Sequence, residues 1–294
     1  MLRARADVTT CKLGSRVLTR FAPSPTGYLH LGHVVNAIYV WGVARALGGR
    51  VLLRIEDHDR IRCRPEYDEA LLEDLDWLGF VPDVAPGGRK SLRQSDDSEP
   101  YERAVDDLRR TATVYACDCS RKDIGGEHYF GRCRTRGLDE RPDRGLRVAI
   151  PPGIERFDDL LLGSQEQTPA SQCGDLLLRD RDGNWTYQFA VAVDDYGQAV
   201  NLVIRGADLL SSTGRQIRLA RMLGRVEMPL FLHHPLIEKK PGEKLSKSDR
   251  DTGVRDLRRL GLAPAEVIGR AAAAVGLVET MRPIEAASVA ELFR

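Results

Sequence analysis

Apolar and polar positions first form a readable pattern at Arg16, where RVLTRFAPSPTG is a short apolar run ending in two prolines and a glycine. This predicts a strand that opens into a rigid turn. The following YLHLGHVVNAIYVWGVARALGG puts Leu31, Val34, Val35, Ile38, Trp41 and Leu47 at helical spacing and closes on Gly48-Gly49, so a buried helix is expected. RVLLRIED reads as a second strand. A strand, a helix and a strand in that order make a βαβ unit, and hence a parallel sheet with a right-handed crossover.

Further along, Pro65 opens a helix whose core face runs through Ala70, Leu71, Leu75 and Leu78. A Pro/Gly-rich loop (VPDVAPGG) leads to a helical pattern over 100–112 and a loop-like stretch at 117–136. Residues 137–185 mix short strand signals with turns, which suggests a small β-rich insertion. WTYQFAVAVDD from Trp185 and VNLVIRGADLL read as returning strands, and TGRQIRLARMLG as a helix. An apolar stretch at 229–237 precedes a charged loop at 238–250, and the segment from Thr252 looks helical.

Composition narrows the picture. At 294 residues, 42% hydrophobic and 30% charged, the chain is large enough for two domains, or for one domain with a large insertion. A net charge of +1 excludes a uniformly basic nucleic-acid binder, although not a local basic face. No apolar stretch approaches the ~20 residues of a membrane span, and the N-terminal residues lack the apolar core of a secretion signal, so the expected location is the cytoplasm. Arginine is the default cation, yet Lys239, Lys240, Lys244 and Lys247 cluster in one loop. Among six cysteines, Cys117, Cys119 and Cys133 fall close together, a spacing that favours metal binding over cross-linking in a reducing compartment.

The first βα turn carries neither of the two commonest phosphate-cradling glycine loops. It carries His30-Leu31-Gly32-His33, two imidazoles on the first turn of a helix whose N-terminus favours anions, with a glycine that would let a ligand approach the backbone. Lys244-Leu245-Ser246-Lys247-Ser248 supplies two ammonium groups that can neutralise charge developing on a polyphosphate.

Taken together, RFAPSPTGYLHLGH at 20–33 and KLSKS at 244–248 resemble the two signatures of the class I aminoacyl-tRNA synthetases. RFAPSPTG followed by LRIED narrows the resemblance to the glutamyl/glutaminyl subgroup, and RQSDDSEPYERA, YACDCS and IRGADLLSSTGRQ agree in order. The resemblance spans residues 16 to 250. Only 46 residues follow Ser248, where glutamyl enzymes carry a long helical anticodon-binding region. That shortness, with Cys117-x-Cys119 and Tyr129-x-x-x-Cys133, resembles the short branch of the family, the glutamyl-queuosine tRNA(Asp) synthetases.

The resemblance implies an α/β fold: a split Rossmann-type parallel sheet domain at 1–98 and 186–250, an inserted zinc-bearing subdomain at 99–185, and a short helical C-terminal tail at 251–294. It implies activation of L-glutamate by ATP with Mg2+, then transfer to queuosine in tRNA(Asp), by a chain expected to act as a monomer and away from membranes. His30, His33, Lys244 and Lys247 would serve catalysis, with His30, His33 and Lys247 on ATP. Arg20, Ala22, Ser24, Glu56, Tyr187 and Arg205 would line the glutamate pocket. Glu56 suits the α-ammonium and the two arginines suit carboxylates. Asp194 and Asp195, placed at a strand end, are candidates for contact with ATP or the acceptor nucleoside. His58 stands where glutamyl enzymes usually carry threonine. One structural zinc would be held by Cys117, Cys119 and Cys133 with a fourth ligand. Ligand chemistry alone favours His128, whereas the family pattern implies Tyr129. Arg121, Lys122, Arg132, Arg134 and Arg136, set against Asp123 and Glu127, form a basic patch that could meet RNA phosphates. The competing readings are a minimal glutamyl-tRNA synthetase acting on tRNA(Glu) and a non-catalytic binding paralogue.

Overall fold

The structure, a computed structural model, describes residues 17–84, 88–126, 128–240, 243–244 and 253–294. Strand β1 (Leu18–Phe21), helix α1 (Leu31–Ala46) and strand β2 (Arg50–Ile55) form the expected βαβ unit. β1 pairs in parallel with β2, which pairs in parallel with the short β3 (Leu92–Arg93). Val51, Leu53 and Ile55 point to one face of β2 and pack under α1, while Arg54 on the other face is fully buried. α2 (Pro65–Leu78) lies on the same core with proline in its first turn, and ends on Gly79 in the left-handed region (φ 82°).

After α3 (Glu99–Thr111), strand β4 (Val114–Cys117), the short α4 (Arg121–Ile124), β5 (Gly145–Val148) and later β8 (Leu176–Arg179) make a small antiparallel sheet in the order β4-β5-β8. Between β5 and β8 the chain leaves this sheet. β6 (Glu155–Asp159) and β7 (Gly163–Gln167) join a second sheet in the order β7-β6-β10-β9, with α5 (Pro169–Cys173) leading back. Strand pairing therefore crosses the expected 99–185 boundary, because Asp159 bridges to Phe231 of β10 (Leu230–His234).

The segment 187–197 departs from expectation. It is not a strand but helix α6 (Tyr187–Gly197). Every residue from Phe189 to Asp195 is buried, and a helix buried all round has no amphipathic period to betray it. Asp194 and Asp195 thus sit inside a helix and not at a strand end.

β9 (Leu202–Gly206) runs parallel to β10, and α7 (Thr213–Met222) follows β9 after a 3-10 turn at 207–212. β1 lies beside β9. The Asn201 N–H donates to the Leu18 carbonyl at 3.0 Å, the Leu18 N–H donates to Asn201 Oδ1 at 2.8 Å, and Arg20 reaches the Ile204 carbonyl at 3.2 Å. β2 extends from one side of β1 and β10 from the far side of β9. The β1/β9 junction is therefore a topological switch point, and ligands of open α/β sheets bind at the strand C-termini there.

Beyond β10 lie β11 (Glu238–Lys240) and β12 (Glu243–Lys244), an antiparallel pair. The C-terminal segment is helical, as expected, with α8 (Val254–Arg259), α9 (Pro264–Ala274) and a 3-10 stretch at 286–293. It is no free tail: Val267, Ile268, Ala271, Ala272, Val289, Leu292 and Phe293 share one apolar core with α1. Gly42 of α1 seats Phe293 so closely that a β-carbon there would lie 2.3 Å from its ring.

Candidate active site and metal cluster

At the C-terminal ends of β1, β2 and β9 the chain places Arg20, Glu56 and Arg205, all buried. Tyr187, at the start of α6, lies within electrostatic reach of Arg205, Glu56 and Arg20. Four of the six residues implied for glutamate thus converge at the switch point. Ser24 acts one step back: its hydroxyl donates to the Glu56 carbonyl at 2.8 Å, while the Glu56 N–H donates to the Pro23 carbonyl at 3.0 Å. The rigid turn after β1 therefore clamps the end of β2. Ala22 stands half-buried in the same turn.

Charge at this junction is balanced internally. Arg20 Nε donates to Asp195 at 2.9 Å, and Arg54 donates to Asp195 at 2.8 Å and to Glu56 at 3.0 Å. Burial works against ionised Asp195 but is outweighed by Arg20 and Arg54, which hold its carboxyl down at about 2. For Glu56, burial wins over the same two arginines and raises its pKa. Asp194 accepts from Gln94 Nε2 at 2.7 Å and from the Tyr101 hydroxyl at 3.0 Å. Both aspartates are accordingly engaged by protein partners. His58 joins this web through a 2.5 Å contact between its Nδ1 and Gln94 Oε1.

His30 is the N-cap of α1. Its Nδ1 accepts from the Gly32 N–H at 3.1 Å, His33 Nδ1 accepts from the His30 N–H at 3.1 Å, and the two rings lie 4.0 Å apart. A β-carbon at position 32 would come within 2.9 Å of the His30 ring, so Gly32 makes room for the capping imidazole. Its structural part is thus to admit a side chain of the helix itself. Gly253 bridges to His30, and the Val254 N–H donates to the Leu29 carbonyl at 2.9 Å, so the chain following the lysine loop returns beside the first signature. The Lys244 backbone belongs to β12. Lys247 lies outside the described residues.

The second cluster lies at the end of β4. The sulfurs of Cys117, Cys119 and Cys133 are all within 4.8 Å of one another. Cys119 Sγ is 3.6 Å from Cys133 Sγ, and the Tyr129 hydroxyl is 3.4 Å from Cys117 Sγ and 3.9 Å from Cys119 Sγ. Tetrahedral zinc at about 2.3 Å from each sulfur sets them about 3.8 Å apart, so the donor set fits such an ion. Burial and the neighbouring Cys133 and Cys117 push the Cys119 thiol up to about 11, so binding a cation there would be coupled to proton release. His128 turns away: its Nε2 contacts the Ala170 carbonyl at 3.2 Å and its ring packs on Phe130. Geometry therefore favours Tyr129 as the fourth donor. Two residues that sequence reasoning missed support the cluster. Arg147 Nε donates to Cys117 Sγ at 3.3 Å, with its guanidinium 3.8 Å from the Tyr129 ring centre, and its Nη1 donates to the Asp175 carbonyl.

Two arginines of the basic patch are exposed but paired with carboxylates. Arg134 is paired with Asp175 at 2.6 Å and Arg136 with Asp118 at 2.7 Å. Arg121, Lys122 and Arg132 remain exposed, near a Phe130 that is 82% exposed.

Comparison with known proteins adds the lineage. Residues 16–272 match the family described as tRNA synthetases class I (E and Q), catalytic domain. The chain is 40% identical over 285 residues to the Glutamyl-Q tRNA(Asp) synthetase of Nitratidesulfovibrio vulgaris, covering 90% of this chain and 88% of that one. It is 42% identical over 272 residues to the protein of that name from Burkholderia cenocepacia, covering 88% and 87%. Among solved structures, a glutamate tRNA ligase from Elizabethkingia meningosepticum, crystallised with its amino acid, superposes with a TM-score of 0.78 at 27% identity. That match covers 95% of this chain but only 64% of the ligase, so the chain spans less than two thirds of the larger enzyme. No described helix is long and apolar enough to cross a membrane. With the paired signatures, the switch-point site and these likenesses together, the chain belongs to the class I glutamyl- and glutaminyl-type tRNA synthetases, and within them to the glutamyl-Q tRNA(Asp) synthetases.

Proposed function

We propose that this chain activates L-glutamate with ATP and transfers it to queuosine in tRNA(Asp). The observation that carries the reading is the 40–42% identity over nearly nine tenths of the chain to synthetases of that name, joined to a buried two-arginine, one-glutamate site at the switch point. In the first step a glutamate α-carboxylate oxygen attacks the α-phosphorus of ATP and pyrophosphate leaves. Glu56 receives the α-ammonium, and Arg20 and Arg205 receive carboxylate oxygens. His30 and His33 at the α1 N-terminus, with Lys244 and Lys247, stabilise negative charge on the phosphates. Mg2+ accompanies ATP and offsets its charge. In the second step a queuosine hydroxyl attacks the glutamyl carbonyl and AMP leaves. Cys117, Cys119, Tyr129 and Cys133 would hold one zinc, whose part is to cross-link the loop bearing Arg121, Lys122 and Arg132.

The test is glutamylation with radiolabelled glutamate of tRNA(Asp) with and without queuosine, beside tRNA(Glu). Label confined to queuosine-containing tRNA(Asp), persisting after the 3′ end alone is oxidised and lost when the queuosine diol is oxidised, is the expected result. Label on tRNA(Glu) would replace the reading with a minimal glutamyl-tRNA synthetase.

Two further results are expected. Lys247→Ala should lower the adenylation kcat more than tenfold, a loss of about 1.4 kcal/mol or more of transition-state stabilisation, with little change in the glutamate KM. An unchanged kcat in pyrophosphate exchange would remove Lys247 from the phosphates. Glu56 binds an ammonium only when ionised, and burial raises its pKa. The glutamate KM should therefore climb as pH falls toward that raised value, and Glu56→Gln should abolish the acid-side climb while weakening binding throughout. A wild-type KM flat from pH 8 to 5 would refute this.

A further inference from the structure

Arg205 does not stand alone at the end of β9. Its guanidinium is held on three sides by acceptors, all within the protein. Nε donates to His233 Nε2 at 3.0 Å, one terminal nitrogen donates to Gln216 Oε1 at 2.6 Å, and the other donates to Thr213 Oγ1 at 2.8 Å. Each acceptor is itself fixed. Gln216 spends its amide N–H on Gln188 Oε1 at 2.9 Å, so its oxygen must face Arg205. The Thr213 hydroxyl accepts from Arg205 and lies 3.1 Å from His233 Nε2, where it shares that nitrogen's single lone pair with the Arg205 Nε–H.

His233 is the centre of this arrangement, fully buried on β10. Because its Nε2 accepts from Arg205, its proton must sit on Nδ1, which is 2.6 Å from Asp159 Oδ2. Asp159 is held in turn. The Leu161 and Leu162 N–H groups donate to its Oδ1 at 2.9 Å each, and the His233 N–H donates to Oδ2 at 3.0 Å. This is the residue through which β6 pairs with β10, so the strand that crosses into the parallel sheet delivers the first member of a chain ending at Arg205.

We propose that Asp159 and His233 are positioning residues that fix the Arg205 guanidinium so that it selects a carboxylate side chain over its amide. An arginine has five N–H donors. Three are committed to these acceptors, and the Tyr187 side chain hydrogen-bonds what remains of the fork on its open side. A plate that cannot rotate offers a side-chain carboxylate N–H donors alone, together with Tyr187, whereas an amide must turn an N–H group toward one of those donors. The carboxylate of Asp159 imposes the Nδ1–H tautomer. Without it the Nε2–H tautomer becomes accessible, and that form meets the Arg205 N–H donor to donor.

The inference rests on the reading of the site as a glutamate-activating one, and the experiment separates the two. Pyrophosphate exchange is measured with glutamate and with glutamine for the wild type, His233→Leu, His233→Gln and Asp159→Asn, with Tm recorded for each. Imidazole 15N shifts of the wild type and Asp159→Asn are read in parallel. His233→Leu should raise the glutamate KM at least tenfold, lower kcat less than threefold, and narrow the preference for glutamate over glutamine. His233→Gln, which returns an acceptor oxygen to Arg205 Nε, should recover most of that KM. The wild-type ring should show Nδ1–H, and Asp159→Asn should shift its 15N signals toward the other tautomer together with a raised KM. Variants that keep the wild-type KM and amino-acid preference, or a wild-type ring protonated on Nε2, would overturn the relay. A wild type without glutamate-dependent exchange but with the Nδ1–H signature would instead sink the glutamate reading and leave the Arg205 clamp standing. Should His233→Leu fail to fold, the Gln variant and the 15N spectra still decide the question.

Discussion

A Cys133→Ser variant is expected to lose the zinc that the wild type should carry at about one ion per chain, and with it the order of the segment 117–136 that follows β4. The sulfur of Cys133 lies 3.6 Å from that of Cys119 and accepts from Arg136 at 3.4 Å. Serine offers a harder, far less acidic oxygen in that place. A closed structural zinc contributes about 10–16 kcal/mol in small zinc-folded peptides. Here β-pairing persists beside it, so the loss should be local: the zinc-free protein melts earlier, with proteolysis confined to 117–136. Cys173→Ser is the control, since Cys173 is buried outside the sulfur cluster and contacts the Pro169 carbonyl at 3.1 Å. Tyr129→Phe should weaken zinc retention under a competing chelator, and His128→Ala should not. Metal content by mass spectrometry checks all four, and equal zinc in wild type and Cys133→Ser would sink the assignment.

The second large effect concerns Arg54. It lies fully buried against three carboxylates, pairing with Asp195 at 2.8 Å, Glu56 at 3.0 Å and Asp194 at 3.7 Å. Arg54→Leu keeps much of the volume but strands those charges, and removing one partner of a buried ion pair costs about 3–5 kcal/mol. Urea unfolding should register that loss, and glutamate activation should fall with it because Glu56 loses its neighbour. Adding Asp195→Asn should recover part of the stability by removing one stranded charge. A single-variant loss below about 1 kcal/mol would mean that water reaches the cluster and that the burial argument fails.

Neither Arg54 nor His233 was legible as a functional residue beforehand, and the reason is physical. The strands that carry them announce themselves by apolar runs, but which charged side chain on one strand meets which on another depends on sheet order. The β1–β9 adjacency joins positions some 180 residues apart, as the Arg20 to Ile204 contact shows. The motifs of the first βα unit were legible because they are local: a cap, a turn and a crossover within one stretch of chain. α6 was misread because burial on all sides erases the period that separates helix from strand. The cysteine cluster was legible as a set of sulfurs, but that Tyr129 lies against it while His128 contacts the Ala170 carbonyl needed the fold, since adjacent residues differ only in which way the chain turns them. The sheet that β6 and β7 join was not legible for the same reason, because their strand signals do not say which partner they pair with.

The packing of Phe293 against Gly42 bears on how the chain is made. The helix capped by His30 is synthesised well ahead of the residues that cover its outer face, Val289, Leu292 and Phe293, which follow about 250 positions later. At about 5–20 residues per second that is an interval of roughly 12 to 50 s. Throughout it, a helix buried along nearly all its length in the folded protein must wait without its cover. The nascent protein is therefore open to aggregation and to chaperone capture through the same helix that later presents His30 and His33.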